Sequence, residues 1–249
     1  MDSAAADETT RDRATAVCVQ EHAGLSDVGR QREHNEDSFL VRSPLFVVAD
    51  GMGGAEAGEV ASQTAVETFE AASGFPDALA STVEAANARI HQMAVDDSSR
   101  QGMGCTLTAA YADGGRLTVA HVGDSRLYRL RGDSLEQLTD DHSLVGGLVR
   151  LGQLTPEEAE THPQRSVILR AVGVEPTVEV DVLEHQLEDG DVYLACSDGL
   201  SGMVRDQVLV ETLRMFSSLE EAAEMLVELA NAAGGQDNIT VVLVRVGRS

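Results

Sequence analysis

The amino-acid sequence predicts one α+β domain in which helices pack against largely antiparallel β-sheets. Three observations support this fold class. Short apolar runs of strand length recur along the chain, glycine-containing turns join many of them, and helical periodicity is confined to four segments. Neither a fixed-period repeat nor a low-complexity linker divides the 249 residues. We therefore expect a single domain over residues 16–249, preceded by a disordered acidic tail over residues 1–15.

Strands are predicted where apolar and β-branched side chains cluster between turn residues. The predicted strands are Ala16–Glu21, Ser38–Arg42, Leu45–Ala49, Cys105–Ala112, Arg116–Val122, Arg126–Arg131, Ser134–Gln137, Thr177–Leu183, Asp191–Cys196 and Asn238–Val246. Because short turns connect many successive strands, antiparallel pairing is expected.

Helices are predicted where apolar residues recur at helical spacing. The predicted helices are Ala55–Ala72, Asp77–Asp96, a short helix that starts at Thr155 and Pro156, and Ser218–Ala233. Thr155 is a good N-cap, and proline suits the first helical position that follows it. Gly234 and Gly235 end the last of these helices.

The charge balance is strongly acidic. The chain has 18 basic residues, all of them arginine, against 42 aspartates and glutamates, for a net charge of −24. Nucleic acid and anionic membrane surfaces are disfavoured as partners, because both need a basic footprint. Two explanations of the acid excess stay open: a solvated surface suited to high salt, and metal binding, which needs only a handful of acids.

Neither a membrane segment nor a secretion signal is apparent. No apolar run approaches the roughly 20 residues of a membrane helix, and the N-terminus lacks the apolar core of a signal peptide. The three cysteines, Cys18, Cys105 and Cys196, form no CxxC pair, so we expect structural thiols in a reducing compartment. The expected location is the cytoplasm.

Acidic residues recur where predicted strands end or begin. Those that follow apolar runs are Asp50, Asp124 and Asp198, and those that directly precede them are Glu36, Asp37 and Asp237. In an antiparallel sheet the end of one strand lies beside the start of its neighbour, so all of these acids can fall on one edge. Any one of them alone is simply explained as a turn or cap residue. Together they would repel one another, and oxygen ligands without paired histidines or cysteines favour Mg²⁺ or Mn²⁺ as the compensating charge.

A series of short motifs resembles the metal-dependent protein serine/threonine phosphatases of the 2C type, prokaryotic branch. The motifs are Ser26–Gly29 with Arg32, Asn35–Asp37, Ala49–Gly54, Gly102–Thr108, Val122–Arg126, His162–Ser166, Ser197–Leu200 and Asp237–Thr240. Each motif alone is weak evidence, whereas the full series in this order is specific and spans roughly residues 24–246.

The resemblance implies a four-layer α-β-β-α sandwich with two central antiparallel sheets. It also implies a cleft at the sheet edges that holds two Mn²⁺ or Mg²⁺ ions, plus a weaker third. The implied metal-binding residues are Glu36, Asp37, Asp50, Gly51 through its carbonyl, Asp124, Asp198 and Asp237. Among them Asp50 would bridge two ions, Glu36 would act mostly through water, and Asp124 would serve the third ion together with Asp198.

The implied activity is hydrolysis of phosphoserine and phosphothreonine in proteins. Two cations about 3.5–4 Å apart lower the pKa of a bridging water, and the hydroxide attacks phosphorus in line with the leaving oxygen. Arg32 and Asp50 are the implied catalytic residues, and a guanidinium such as that of Arg32 suits bidentate phosphate contact. The expected partner is a phosphorylated protein within a serine/threonine kinase pathway, and we expect a monomer.

Several assignments stay open at this point. His162 is a candidate for substrate contact or proton donation, and it is equally a candidate for bracing the turn at Pro163. Met52 stands where animal-type members of the resembled family carry histidine, so the acid that protonates the leaving group is unassigned. Residues 140–165 resemble a flap beside the active site or form an ordinary surface excursion.

Two other functions are weighed against an active phosphatase. One is a catalytically silent phosphoprotein-binding module on the same fold, which would be signalled by loss of metal-binding acids, and none is lost. The other is an acidic metal-buffer protein, against which the scattering of the acids over many strand ends argues.

Overall fold

The computed structural model describes residues 17–53 and 57–248 and contains two antiparallel sheets flanked by helices. The strands are β1 (Val17–Asp27), β2 (Asp37–Arg42), β3 (Leu45–Met52), β4 (Gly104–Cys105), β5 (Leu107–Asp113), β6 (Arg116–Val122), β7 (Arg126–Arg131), β8 (Ser134–Gln137), β9 (Asp181–Gln186), β10 (Val192–Cys196) and β11 (Ile239–Arg248). The helices are α1 (Ala57–Ala71), α2 (Leu79–Asp96), α3 (Leu144–Arg150), α4 (Pro156–Glu160), α5 (Asp198–Ser201), α6 (Asp206–Met215) and α7 (Leu219–Ala232).

The strands form two sheets that pack face to face. Sheet I has the order β1-β11-β10-β7-β8, and sheet II has the order β2-β3-β5-β6-β9 with β4 paired to β3. Strand β11 shows how both faces of a sheet are buried. Its Val241 and Leu243 pack into a core with the helices α6 and α7, whereas Val242 and Val244 pack into the core between the two sheets.

A third core lies under the helices on the other side. There α1 and α2, through residues such as Phe69 and Ile90, pack against Val47 and Ala109 of sheet II. The layers therefore run α1 and α2, sheet II, sheet I, α6 and α7, which confirms the predicted four-layer α-β-β-α sandwich.

Most predicted elements are present, and three strands, β6, β7 and β8, coincide with their predictions, whereas β1 continues six residues beyond its predicted end at Glu21. The prediction of a strand at Thr177–Leu183 was misplaced, because it is residues Asp181–Gln186 that alternate in burial and pair with β6. The predicted strand Cys105–Ala112 is interrupted at Thr106, whose N–H donates to Asp50 O at 2.8 Å.

Three short helices were not predicted, each for a local reason. Helix α3 contains Gly146 and Gly147, which are poor helix formers. Helix α5 is a single turn, and α6 follows Arg205, which provides no side-chain cap. The predicted tail and the predicted starts at Ala16 and Ala55 lie outside the described residues.

Two further expectations concern the chain as a whole. Cys18, Cys105 and Cys196 are free thiols, and the last two are buried. Over residues 17–53 and 57–248, no helix has both the length and the hydrophobicity to span a bilayer.

Candidate metal centre

Acids from both sheets meet at one end of the sandwich. In sheet II, Asp37 opens β2 and lies opposite Asp50 of β3. In sheet I, β10 ends shortly before Asp198 and β11 begins shortly after Asp237, and these two strands are antiparallel neighbours. The connection from β6 to β7 crosses from sheet II to sheet I and carries Asp124. We call this part of the molecule, with its five aspartates, the metal end.

Burial and the neighbouring acidic charges raise the pKa values of four carboxyl groups at the metal end, those of Asp37, Asp50, Asp124 and Asp198. Burial, and next the charges of Asp37 and Asp198, hold the pKa of Asp50 well above its usual value. Burial raises the pKa of Asp37 to about 7, and burial with the charge of Asp198 raises that of Asp124 to about 7. Burial and the charge of Asp237 raise the pKa of Asp198. The five aspartates therefore lie close enough to share one electrostatic field.

Two buried carboxylate oxygens at this end have no hydrogen-bond donor among the described residues. Asp37 Oδ2 accepts from Ser197 Oγ at 2.8 Å and from Thr240 Oγ1 at 2.6 Å, but its Oδ1 has no partner. Glu36 Oε1 is in the same situation. An unpartnered buried oxygen costs free energy, so the site needs a positive or donating group that the described part of the chain does not supply.

Arg32 lies at the rim of the acids. Its Nη2 donates to Asp237 Oδ2 at 2.8 Å, and its Nη1 is 3.8 Å from Glu36 Oε2. The Arg32 side chain is 47% exposed, so part of its guanidinium fork faces solvent beside the carboxylates. This position suits an anionic ligand that sits between Arg32 and a bound cation.

The side chain of Asn238 fixes the loop that carries Arg32 and Glu36. Its Oδ1 accepts from Glu36 N at 2.8 Å, and its Nδ2 donates to Val28 O and His34 O at 3.0 and 2.9 Å. Asn238 belongs to the motif Asp237–Thr240, but the sequence alone assigns it no role. Its role was missed, because a side-chain amide does not reveal which distant backbone groups it meets.

The glycines of the two Asp-Gly pairs at the metal end, Gly51 and Gly199, permit close contact between chain segments. A Cβ atom at Gly51 would lie 2.2 Å from Gly58 O and 2.5 Å from Glu36 O, and one at Gly199 would lie 1.9 Å from Asn238 O. These glycines let the loops that bear the acids approach one another at the metal end.

The residues present fit hard divalent cations. Their ligand atoms are carboxylate oxygens, two of which have no hydrogen-bond partner among the described residues. The neighbouring acids raise the pKa of Asp50, and a bound cation would oppose this rise, because it stabilises the ionised carboxylates. Within the described ranges, no three side chains of histidine, cysteine, aspartate and glutamate are already drawn together into a metal-ligand set.

His162 closes the turn after α4. Its Nδ1 accepts from Gln164 N at 3.1 Å, and its backbone N–H donates to Ala159 O at 3.2 Å. In the described part of the chain, no hydrogen bond or ion pair joins His162 to the acids of the metal end. The bracing role is thus visible in the structure, and the substrate-binding role of His162 stays a prediction.

A four-layer α-β-β-α sandwich with carboxylates from both sheets and one arginine at a shared end is the architecture of a metal-dependent phosphatase. The chain belongs to the protein phosphatase 2C family, whose sequence profile matches residues 29–234.

Bacterial serine/threonine phosphatases are among the proteins similar to this chain. The chain is 42% identical to the serine/threonine phosphatase stp of Listeria innocua over 234 residues, which cover 88% of this chain and 93% of that protein. It superposes on the crystal structure of the Mycobacterium tuberculosis serine/threonine phosphatase PstP/Ppp with a TM-score of 0.85 at 41% identity, covering 92% of this chain and 99% of that one. It matches the structure of the PstP catalytic domain in complex with two manganese ions with a TM-score of 0.83 at 39% identity, covering 93% and 100%.

Proposed function

We propose that this chain hydrolyses phosphoserine and phosphothreonine in proteins, with Mn²⁺ or Mg²⁺ bound at the metal end. The observation that carries this proposal is the set of buried and partly buried, mutually repelling carboxylates from both sheets beside the half-exposed Arg32. Membership of the protein phosphatase 2C family and the similarity to bacterial serine/threonine phosphatases support the same function.

The chain offers several ligands for the cations. The groups that would hold the two main ions are Asp50, the Gly51 carbonyl, Asp198, Asp237, Glu36 and Asp37. Asp124 together with Asp198 would hold the weaker third ion. When bound, the cations supply an activated water and neutralise charge on the phosphoryl group.

Substrate binding and orientation depend on side chains whose positions do not require a bound metal. Arg32 would bind two phosphate oxygens and orient the phosphorus, since its planar fork is already held by Asp237. Asn238 keeps the Arg32 loop at a fixed distance from Asp237, because it bonds to both backbone groups at 34 and 36. His162, in the turn after α4, remains the candidate for substrate contact.

A silent phosphoprotein-binding module is the alternative on the same fold. It is not favoured, because every proposed metal-binding position is occupied by a residue that can serve. Binding of a phosphopeptide without hydrolysis would distinguish the module from the enzyme.

We also propose the substrates, the cellular location and the oligomeric state. Phosphorylated proteins are the substrates that the family implies, and we propose that a serine/threonine kinase pathway supplies them. We further propose a cytoplasmic monomer with one catalytic domain over residues 16–249 and an acidic tail over residues 1–15.

The experiment compares wild type with Asp50→Asn on phosphoserine and phosphothreonine peptides, with Mn²⁺ and with EDTA. Wild type should release phosphate only with Mn²⁺, and the variant should lose at least about a hundredfold in rate, since even indirect ligand partners matter by 10–100-fold. Asp133→Asn, an exposed aspartate in the β7–β8 turn, is the matched control and should behave as wild type. Wild-type turnover in EDTA, or full activity of Asp50→Asn, would refute the proposal.

A further inference from the structure

The segment over residues 138–143 leads into α3 and lies alongside the β6–β7 connection, residues 123–125, which carries Asp124. We call this connection the crossover. His142 N donates to Gly123 O at 2.7 Å, and Leu138 N donates to Leu127 O at 2.7 Å. Asp140 O is 3.1 Å from His121 Nε2. We call residues 140–165, which continue from this contact into α3 and α4, the flap.

A partly buried ion pair holds this segment on one side of Asp124. Arg126 donates from Nε to Asp141 Oδ1 at 3.0 Å and from Nη2 to Asp141 Oδ2 at 2.7 Å. The Asp141 side chain is only 14% exposed and also accepts from Gln137 Nε2 at 2.9 Å. The pair therefore fixes the chain just after Asp124 to the base of the flap.

A histidine holds the segment on the other side of Asp124. Gly123 N donates to His142 Nδ1 at 3.0 Å, so the ring proton must lie on Nε2, which is 3.2 Å from Asp181 Oδ2. The His142 side chain is only 4% exposed, and Arg170 Nη1 lies 3.1 Å from the same Nε2. Burial, together with the Arg170 charge, holds the pKa of His142 below its usual value and keeps Nδ1 free to accept.

The backbone at Gly123 needs such a partner. Its φ is +112°, and a Cβ atom there would lie 2.5 Å from Thr106 Cβ, so only glycine fits this position. Glycine gives the crossover no stiffness of its own. The two hydrogen bonds with His142 are what fix its peptide groups relative to the flap.

We propose that His142 is a positioning residue that, through Gly123, sets the place of Asp124 at the weaker cation site and ties it to the flap. The proposal rests on the proposed function, because the assignment of Asp124 to a cation belongs to it. Arg126 and Asp141 are the second attachment on the other side of the same acid.

Two substitutions at His142 each keep one of the two hydrogen-bonding positions of the imidazole and remove the other. In His142→Asn, the amide oxygen takes the place of Nδ1 and accepts from Gly123, but the side chain does not reach Asp181. In His142→Gln, the amide nitrogen takes the place of Nε2 and reaches Asp181, but no acceptor lies near Gly123. A merely structural anchor through Asp181 would be rescued by glutamine, whereas positioning through Gly123 is rescued by asparagine.

The first readout needs no metal and no substrate. Amide exchange at Gly123, followed by NMR in EDTA, should stay slow in wild type and His142→Asn and rise about tenfold in His142→Gln, as expected for a lost buried hydrogen bond. The second readout is the Mn²⁺ concentration that gives half-maximal hydrolysis of para-nitrophenyl phosphate. It should rise about tenfold in His142→Gln and stay near wild type in His142→Asn. Thermal unfolding of both variants reports any loss of fold.

The outcomes separate this inference from the proposed function. Equal effects of the two variants on both readouts, or rescue by glutamine, overturn the inference while the function stands. Absence of any Mn²⁺-dependent hydrolysis in wild type overturns the proposed function and this inference with it. The asparagine–glutamine difference in both readouts, in active protein, supports it.

Discussion

Strand β10 has an aspartate near each of its ends, Asp191 buried and Asp198 partly buried, and the two have opposite surroundings. Asp191 directly precedes β10 and accepts from Arg131 Nε and Nη2, both at 2.8 Å, from Glu188 N at 2.9 Å and from Tyr193 Oη at 3.0 Å. Asp198 follows the other end and lies among the acids of the metal end.

The pKa directions express this difference. Burial alone would raise the pKa of Asp191, but the hydrogen bonds from Arg131, Glu188 and Tyr193 outweigh burial and hold the pKa below its usual value. At Asp198, burial and the charge of Asp237 raise the pKa. A buried carboxylate with a full set of donors stabilises the fold, whereas one surrounded by other carboxylates favours binding of a cation.

The largest expected effect is the loss of activity in Asp198→Asn. Asparagine keeps the shape but removes the charge that would hold two of the proposed cations, so the Mn²⁺-dependent rate on a phosphothreonine peptide should fall at least about a hundredfold. In EDTA the variant should unfold at the same temperature as wild type or higher, because one of several repelling charges is gone. Wild-type turnover, or a folding defect in EDTA, would contradict the comparison.

The matched change at the other end, Asp191→Asn, should do the reverse. Among the residues that the structure describes, it leaves the guanidinium of Arg131 with Glu188 as its one acidic partner, and it breaks a pair of which Asp191 is 1% exposed and Arg131 32% exposed. Because Arg131 keeps some contact with water, we expect a loss of about 2–3 kcal/mol in the free energy of unfolding, below the range for fully buried pairs.

Urea unfolding at neutral pH measures this loss directly, and the unfolding temperature should fall by roughly 4–12 °C. The phosphatase rate per folded molecule should equal that of wild type. A variant of unchanged stability would show that the Asp191 contacts contribute nothing, and a variant that loses activity while fully folded would show that the two ends are coupled.

The same comparison explains what the sequence could reveal. The metal end was predictable, because each of its acids stands directly beside an apolar run and its strand position follows from that run. The pairing of Asp37 opposite Asp50 and the four layers agree with that reading. The assignment of each acid to a particular ion rests on resemblance and remains a prediction.

The partners that are distant in sequence were not predictable. Arg131 lies 60 positions from Asp191, and His142 meets Gly123 only because the crossover and the flap base run side by side. Ser197, Thr240 and Asn238 stood within the quoted motifs, yet nothing in their identity shows which atoms they bind. Hydrogen bonds between distant segments depend on the fold, and periodicity reports only local structure.

The smallest effects are pH trends of opposite sign in the same two variants, measured as urea midpoints in EDTA. The pKa of Asp191 is lowered in the folded state, so its contribution is full above the unfolded value of roughly 3.9 and is lost as the pH falls through the lower folded value. The difference in stability between wild type and Asp191→Asn should therefore narrow in acid.

The pKa of Asp198 is raised, so metal-free wild type loses stability relative to Asp198→Asn as the pH rises above roughly 4. As the pH rises toward neutral, wild type should therefore gain stability relative to Asp191→Asn and lose stability relative to Asp198→Asn. Changes of the same sign in the two comparisons would mean that the two ends of β10 share one electrostatic environment, and the distinction between structural and metal-binding acids would fail.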